Sequence, residues 1–173
     1  ELNSFIDALN GKYIRSGTGN DPIRNPSSLP TGKNFYAFDP RLIPSRATYS
    51  FGEKLAEELI VKYRSDNKGE YPSKVTINLW TVECIRNEGT MEAQAFSLLG
   101  VRPVYNSSDQ VVDLELIPKE ELKRPRVDVV FAPSGLYRDI FPELMALLDK
   151  AVSLARTADE DNNFVRQHIL ESE

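Results

Sequence analysis

The sequence contains little of the chemistry on which many metal and redox sites depend. It has one cysteine, Cys84, and one histidine, His168, in 173 residues. A single cysteine excludes an internal disulfide and a thiolate cluster, and a single histidine is poor material for a zinc site. We therefore assign no metal ligands in this chain. Cys84 is predicted to be a small apolar filler, and His168 a partly exposed structural residue on the last helix.

Long apolar runs and basic clusters are also missing. No run of about 18 apolar residues is present, and the first residues do not have the pattern of a signal peptide. We therefore expect a cytoplasmic protein. The net charge is -5 and the basic residues are scattered, which argues against a nucleic-acid surface. The chain starts at Glu1, and residues 162–173 resemble the start of a helix, so we expect a fragment of a larger protein.

The motifs of nucleotide and hydrolase sites are absent as well. Residues 17–21 contain two glycines, but no strand precedes them and no Gly-Lys-Ser/Thr follows. Ser134-Gly135 lacks the Gly-x-Ser-x-Gly spacing of a nucleophile elbow and has no histidine near it. A doubly wound nucleotide-binding domain stays open as an alternative, with the missing phosphate fingerprint against it.

A strand, a polar turn and a helix occur in that order near the middle of the chain. A short β-branched and aromatic run is formed by Val127, Val129, Val130 and Phe131, which predicts a strand covered on both faces. Pro133 and Gly135 end it. Asp139 is predicted to cap the following helix, which has apolar residues at helical spacing up to Ala155. This order is typical of the ligand-binding edge of an α/β sheet.

Strands and helices alternate along much of the chain. Residues 74–80 predict another strand, followed by a polar turn over 81–89 and a helix over 90–99 that ends at Gly100. Residues 101–105 and 111–117 predict a hairpin at the sheet edge. The sequence therefore predicts an α/β fold: a three-layer sandwich with a mostly parallel sheet, an edge hairpin and a long irregular N-terminal strap.

We divide the chain into three parts. Residues 1–44 hold a short helix and a strap rich in proline and glycine, which we expect to be ordered because it also carries aromatic and aliphatic residues. Residues 45–158 form the α/β domain, with Ser45 or Thr48 capping its first helix. Residues 159–173 begin a truncated C-terminal helix. The aromatic residues Tyr36, Phe38 and Tyr49 are predicted to pack in the core.

Charged and hydroxyl side chains follow the two main predicted strands. Because loops after parallel strands lie on the same side of a sheet, we expect Glu83, Arg86, Ser134 and Arg138 to face one crevice. Arginine pairs carboxylates in a bidentate manner, so this set suits a ligand with carboxylates or amides. The alternative is structural, since Glu83 and Arg86 are three residues apart and can pair on one helical turn.

A series of collinear motifs from about residue 10 to the end carries a resemblance to a known family. In chain order they are Gly11-x-Tyr-Ile, Asp21-Pro-Ile-Arg-Asn-Pro26, Leu29-Pro-Thr-Gly-Lys-Asn34, Phe38-Asp-Pro40, Trp80-x-x-Glu83-x-x-Arg86-x-x-Gly89, Leu98-Leu-Gly-Val-Arg-Pro103, Arg124-Pro-Arg-Val-Asp128 and Ser134-Gly-Leu-Tyr-Arg-Asp139. Together they closely resemble the large subunit of cobaltochelatase (CobN type) and its relative, the H subunit of magnesium chelatase.

The resemblance implies a tetrapyrrole-binding subunit that inserts a divalent metal. The substrate would be hydrogenobyrinic acid diamide with Co²⁺, or protoporphyrin with Mg²⁺. ATP would be hydrolysed on AAA+ partner subunits, alongside an integrin-I-domain-type subunit, with no cofactor in this segment. Trp80 and the Glu83/Arg86 pair are closer to the cobalt type, which belongs to cobalamin biosynthesis.

The resemblance also implies roles for individual residues. Glu83 is predicted to act as a proton acceptor or outer-sphere metal ligand, and Arg24, Arg86, Ser134 and Arg138 to bind the macrocycle. The family's histidine-glycine-glutamate stretch has no counterpart here, so we expect the fragment to be inactive alone. The alternative is a scaffold or a docking module for the ATPase subunits, which local pairing of these side chains would favour.

Overall fold

A computed structural model describes residues 2–18, 22–23, 26–36 and 39–172. The chain divides into two compact units, Glu1–Asp39 and Pro40–Glu173. The functional boundaries that we predicted after residues 44 and 158 stay predictions.

Within its described residues, the first unit contains one α-helix, two 3-10 helices (Pro26–Ser28 and Thr31–Lys33) and two very short strands. Helix α1 spans Leu2–Leu9, as predicted, and strands β1 (Gly17–Thr18) and β2 (Asn34–Tyr36) pair in parallel. The Asn34 side chain donates a hydrogen bond to the carbonyl of Ser28 at 3.0 Å. Short pieces of regular structure thus occur where proline and glycine predicted none. Arg24 and Phe38 lie outside the described residues, as does the side chain of Tyr36.

The second unit is an α/β fold. Its elements are α2 (Arg46–Asp66), β3 (Lys74–Leu79), α3 (Thr81–Asn87), α4 (Thr90–Leu99), β4 (Val101–Tyr105), β5 (Val111–Leu116), α5 (Lys119–Leu122), β6 (Asp128–Pro133), α6 (Gly135–Ile140), α7 (Pro142–Thr157) and α8 (Phe164–Ser172).

Strands β3 and β6 pair in parallel, with Lys74 opposite Asp128 and Leu79 opposite Pro133. This pairing confirms the predicted α/β class. Strands β4 and β5 form the predicted antiparallel hairpin, which in the described part of the chain is a two-stranded sheet by itself.

Helix α4 is the centre of this unit. It is buried along most of its length and packs against α2, α7 and both parallel strands. Gly52 allows the close approach of α2, because a side chain there would overlap Ala93. Tyr49 is buried on α2 and donates a hydrogen bond to the carbonyl of Val101 at 3.0 Å, which confirms its predicted core position.

Arg126 joins several elements from the inside. Its guanidinium is fully buried and donates to the carbonyls of Gly100 and Ile117, each at 2.6 Å, and pairs with the Glu160 carboxylate at 2.9 Å. Buried charges are tolerated when they are paired and fully hydrogen-bonded, and Arg126 meets that condition. The start of β6 is thereby tied to the end of α4, the end of β5 and the loop before α8.

Three local predictions were wrong. Strand β6 is not covered on both faces: Val129 is buried but Val130 is exposed, since alternate side chains of a strand point to opposite faces. The residues after β3 form helix α3 rather than an irregular turn. Asp139 does not cap a helix. Ser134 caps α6, its hydroxyl accepting a hydrogen bond from the Tyr137 N–H at 3.2 Å, and Asp139 lies within that helix.

Candidate functional site at the carboxyl edge of the parallel strands

The ends of β3 and β6 bring two helix starts together. Leu79 and Pro133 are directly opposite, and the backbone N–H of Ser134 donates to the carbonyl of Leu79 at 3.0 Å. Helix α3 begins at Thr81 and helix α6 at Gly135, and the two helices pack against each other. We name this region, residues 79–87 and 133–140, the carboxyl edge. It is the place where open α/β sheets commonly bind ligands.

The charged side chains of the carboxyl edge form two separate local pairs. Arg86 Nη1 lies 3.5 Å from Glu83 Oε1, and both side chains are about half exposed. Arg138 Nε lies 3.2 Å from Oδ1 of its neighbour Asp139, and this pair is largely exposed. Such surface pairs contribute about 0–1 kcal/mol, so each can exchange its partner at little cost.

The predicted site residues are therefore brought to one edge by their elements, while their side chains interact locally. Ser134 is already engaged as the helix cap. Trp80, the single tryptophan of the sequence, is exposed directly after β3. The roles predicted for Glu83, Arg86, Ser134 and Arg138 stay predictions, as does that of Arg24, which lies outside the described residues.

A buried polar cluster lies beneath the carboxyl edge and was missed by sequence reasoning. Tyr137 on α6 donates a hydrogen bond from its hydroxyl to Glu92 Oε1 on α4 at 2.6 Å, and both residues are buried. Cys84 and Thr81 are the buried residues of α3. Among the described residues, Glu92 Oε2 and Thr81 Oγ1 are buried without a hydrogen-bond partner.

The environment of this cluster favours the neutral forms of its tyrosine hydroxyl and its thiol. Burial, and next the charge of Glu92, raises the pKa of Tyr137 above its usual range. The same two causes raise the pKa of the Cys84 thiol. The predicted apolar role of Cys84 agrees with its burial, but its neighbour is a carboxylate. Glu92 was a detectable signal, because it is an acidic residue among small and apolar residues of one helix.

Other parts of the unit offer less to a ligand of the predicted kind. A groove of about 710 Å³ lies at the opposite end of the parallel strands, near Tyr71, Lys123 and Phe164, and the predicted site residues do not line it. His168 Nδ1 lies 2.8 Å from Asp128 Oδ2, as suits a partly exposed structural histidine. The described residues contain no group of three or more His, Cys, Asp or Glu placed to hold a metal ion.

Within the described ranges, no helix combines the length and the apolar character that crossing a bilayer requires.

The fold and the edge together define an α/β domain with a parallel strand pair. A family model described as CobN/Magnesium Chelatase matches residues 1–173. The chain belongs to this family. It is 42% identical to the chloroplastic magnesium-chelatase subunit ChlH of Oryza sativa subsp. japonica, over 99% of this chain and 12% of that protein.

Two further similar proteins are named as cobaltochelatase subunits. The chain is 39% identical to the aerobic cobaltochelatase subunit CobN of Sinorhizobium sp, over 95% of this chain and 13% of that protein. The solved structure of the catalytic subunit of cobaltochelatase from Mycobacterium tuberculosis matches with a TM-score of 0.83 and 39% identity, over 99% of this chain and 15% of that one. The chain thus spans only a small part of its relatives' length.

Proposed function

We propose that this chain is part of the large, tetrapyrrole-binding subunit of an ATP-dependent metal chelatase, and that its carboxyl edge contacts the macrocycle. The observation that carries the proposal is the alignment of Leu79 with Pro133, which is followed by two short helices in mutual contact, each with an exposed arginine in its last turn. Membership of the chelatase family supplies the ligand class.

Metal insertion requires that two pyrrolic N–H groups lose their protons and that the metal loses its water ligands. We assign to Glu83 the role of proton acceptor or outer-sphere metal ligand, because its carboxylate is half exposed and pairs with Arg86 at the surface. Arg86 and Arg138, with Arg24, would bind the peripheral carboxylates or carboxamides of the macrocycle, as guanidinium groups do in bidentate pairs.

We further propose Co²⁺ as the metal substrate and a corrin precursor as the macrocycle, in a cytoplasmic step of cobalamin biosynthesis. The turn carrying Trp80, Glu83 and Arg86 supports this choice through its resemblance to the cobalt type. The magnesium branch, with protoporphyrin, is the competing assignment. In either branch, ATP would be hydrolysed by AAA+ partner subunits acting with an integrin-I-domain-type subunit.

A second function is favoured by one observation. Glu83 with Arg86, and Arg138 with Asp139, are paired within the chain, which is the arrangement expected of a scaffold. In that case the carboxyl edge would support the subunit or dock its ATPase partners without touching the macrocycle.

Titration of the 173-residue chain with hydrogenobyrinic acid diamide and with protoporphyrin separates these functions. Trp80 lies at the carboxyl edge, so a ligand bound there quenches its fluorescence. We expect saturable quenching that Arg86→Ala or Arg138→Ala weakens several-fold. The control is Arg46→Ala, which removes an equally exposed arginine from the Arg46–Asp109 surface pair elsewhere.

The result assigns both the surface and the metal branch. Tighter binding of the corrin precursor supports the cobalt branch, and tighter binding of protoporphyrin supports the magnesium branch. Binding of neither ligand, or binding that both edge arginines leave unchanged, would contradict contact at this edge and favour the scaffold.

The role of Glu83 is tested in the assembled chelatase. We expect Glu83→Gln to slow metal insertion while macrocycle binding is kept, because the amide cannot accept the pyrrolic protons. Unchanged insertion would refute the assignment.

A further inference from the structure

Four large apolar side chains are exposed on the carboxyl edge. Trp80 is 63% exposed and Val82 on α3 is 59% exposed, while Leu136 and Ile140 on α6 are 55% and 46% exposed. A single exposed apolar residue needs no explanation, but several on adjoining elements usually mark a binding surface.

The two helices of this edge leave large apolar side chains exposed next to their charged ones. An amphipathic helix normally turns its apolar side chains to the core. Helix α3 instead buries Thr81 and Cys84 and exposes Val82, and helix α6 buries Tyr137 and exposes Leu136 and Ile140. Leu136 and Ile140 are four residues apart and therefore share one face of α6.

The buried side of α6 has no room for Leu136 and Ile140, because Tyr137 already fills it. Tyr137 is fully buried, packs edge-on against Phe141 and bonds to Glu92. The exposure of Leu136 and Ile140 is therefore built into α6 rather than a local displacement of core residues. In the described part of the chain these two side chains stay about half exposed.

The charges around these residues indicate the chemistry of the occupant. Arg86 and Arg138 lie on the same two helices as the apolar side chains, each in a weak surface pair. We propose that Trp80, Val82, Leu136 and Ile140 form an apolar platform for the planar face of a tetrapyrrole, with the two arginines at its acidic or amide periphery. The inference rests on the proposed function and adds the residues that contact the ring itself.

The test uses the complete large subunit that contains this chain, titrated with hydrogenobyrinic acid diamide and with protoporphyrin by absorbance. Leu136→Gln/Ile140→Gln is expected to raise the Kd of the ligand that binds by about tenfold, because two apolar contacts with the ring are lost. The matched control is Phe51→Gln/Val61→Gln, which changes two residues on α2 that are 53% and 63% exposed. The control is expected to bind as the unaltered subunit does.

A rescue variant separates ring contact from a general structural effect. Leu136→Met/Ile140→Val keeps the apolar surface and is expected to restore the Kd to within about twofold. Leu136→Ala/Ile140→Ala gives the same comparison if the glutamine variant does not fold. These variants should leave the far-ultraviolet circular dichroism unchanged.

The outcomes distinguish the platform from the proposed function. If the unaltered subunit binds a ligand and the Leu136/Ile140 variants bind it equally well, the platform is refuted while the proposed function stands. An equal loss in the Phe51/Val61 control also refutes the platform, since the effect is then not specific to the edge. If the unaltered subunit binds neither ligand, the proposed function fails and the platform with it.

Discussion

The hydrogen bond between Tyr137 and Glu92 permits a double-mutant test of how this domain is stabilised. Tyr137→Phe keeps the ring and its packing against Phe141 but removes the only hydroxyl that donates to Glu92 Oε1 among the described contacts. Glu92→Leu removes the carboxylate and keeps a side chain of similar volume. The double variant replaces the buried polar pair by an apolar one.

The structure sets the expected magnitudes. Tyr137→Phe leaves a buried carboxylate with neither oxygen hydrogen-bonded, and loss of a bond to a charged group costs roughly 1.5–3 kcal/mol. Glu92→Leu leaves the tyrosine hydroxyl unpaired, at a cost of roughly 1–3 kcal/mol, but it also removes the desolvation of the carboxylate. Replacing both partners by apolar groups is expected to be about neutral or stabilising.

Urea unfolding of the four proteins, followed by Trp80 fluorescence and circular dichroism, measures these effects. The double variant should be at least as stable as the unaltered chain, with a coupling energy of roughly 1–3 kcal/mol and an unchanged m-value. Additivity within about 0.5 kcal/mol would refute the reasoning, because it would mean that the hydroxyl and the carboxylate do not stabilise each other. A Tyr137→Phe variant of full stability would refute it as well.

Three further predictions concern the same unit. Arg126→Met should lower the free energy of unfolding, measured in urea, by roughly 3–5 kcal/mol because it leaves the Glu160 carboxylate without its ion-pair partner. Adding Glu160→Gln should recover part of this loss. No recovery would mean that the hydrogen bonds from Arg126 to the backbone carbonyls dominate. Gly100→Ala should lower the stability of the fold more than Gly69→Ala does. Both glycines have positive φ, but only at residue 100 would the added methyl group overlap Arg126. Equal melting temperatures of the two variants would argue against that clash. Burial raises the pKa of Cys84, so the contribution of this thiol to the free energy of unfolding should be constant below the unfolded thiol pKa near 9 and fall by up to about 1.4 kcal/mol per pH unit above it. Cys84→Ala should reduce the slope of stability against pH in that range. Identical slopes would show that the thiol does not contribute.

Much of the fold followed from local patterns. The cap at Ser45 and the glycine stop at Gly100 were predicted correctly, because each depends on neighbouring residues. The parallel pairing of the two strand segments was predicted correctly from the alternation of strands and helices along the chain. The misplaced cap at Asp139 has a local cause too. Apolar spacing continues from Ile140 through Leu144, so α6 and α7 read as one helix, although Pro142 at the start of α7 is the kind of residue that begins a new one.

The buried polar residues could not be found in this way. Glu92 and Tyr137 are 45 residues apart, and Arg126 takes its partners from residues up to 34 positions away. Each of these side chains is of a type that is usually exposed or partly exposed, and its burial is acceptable only because of a partner on another element. A single sequence does not show which residues of different elements pair with one another, so these buried polar contacts were found only in the structure.

The buried side chains beneath the carboxyl edge are held more firmly than its exposed arginines, and this difference affects how a ligand would bind there. The helices α3 and α6 are held from below by buried side chains, including Tyr137, whose displacement would cost several times the strength of a surface pair. Above them, Arg86 and Arg138 each form an ion pair with an exposed carboxylate. A ligand with its own carboxylates can therefore take over the two guanidinium groups while the backbone that carries them stays fixed. Binding would then need little reorganisation, and its affinity should depend on the ligand's fit to the exposed surface more than on movement of the domain.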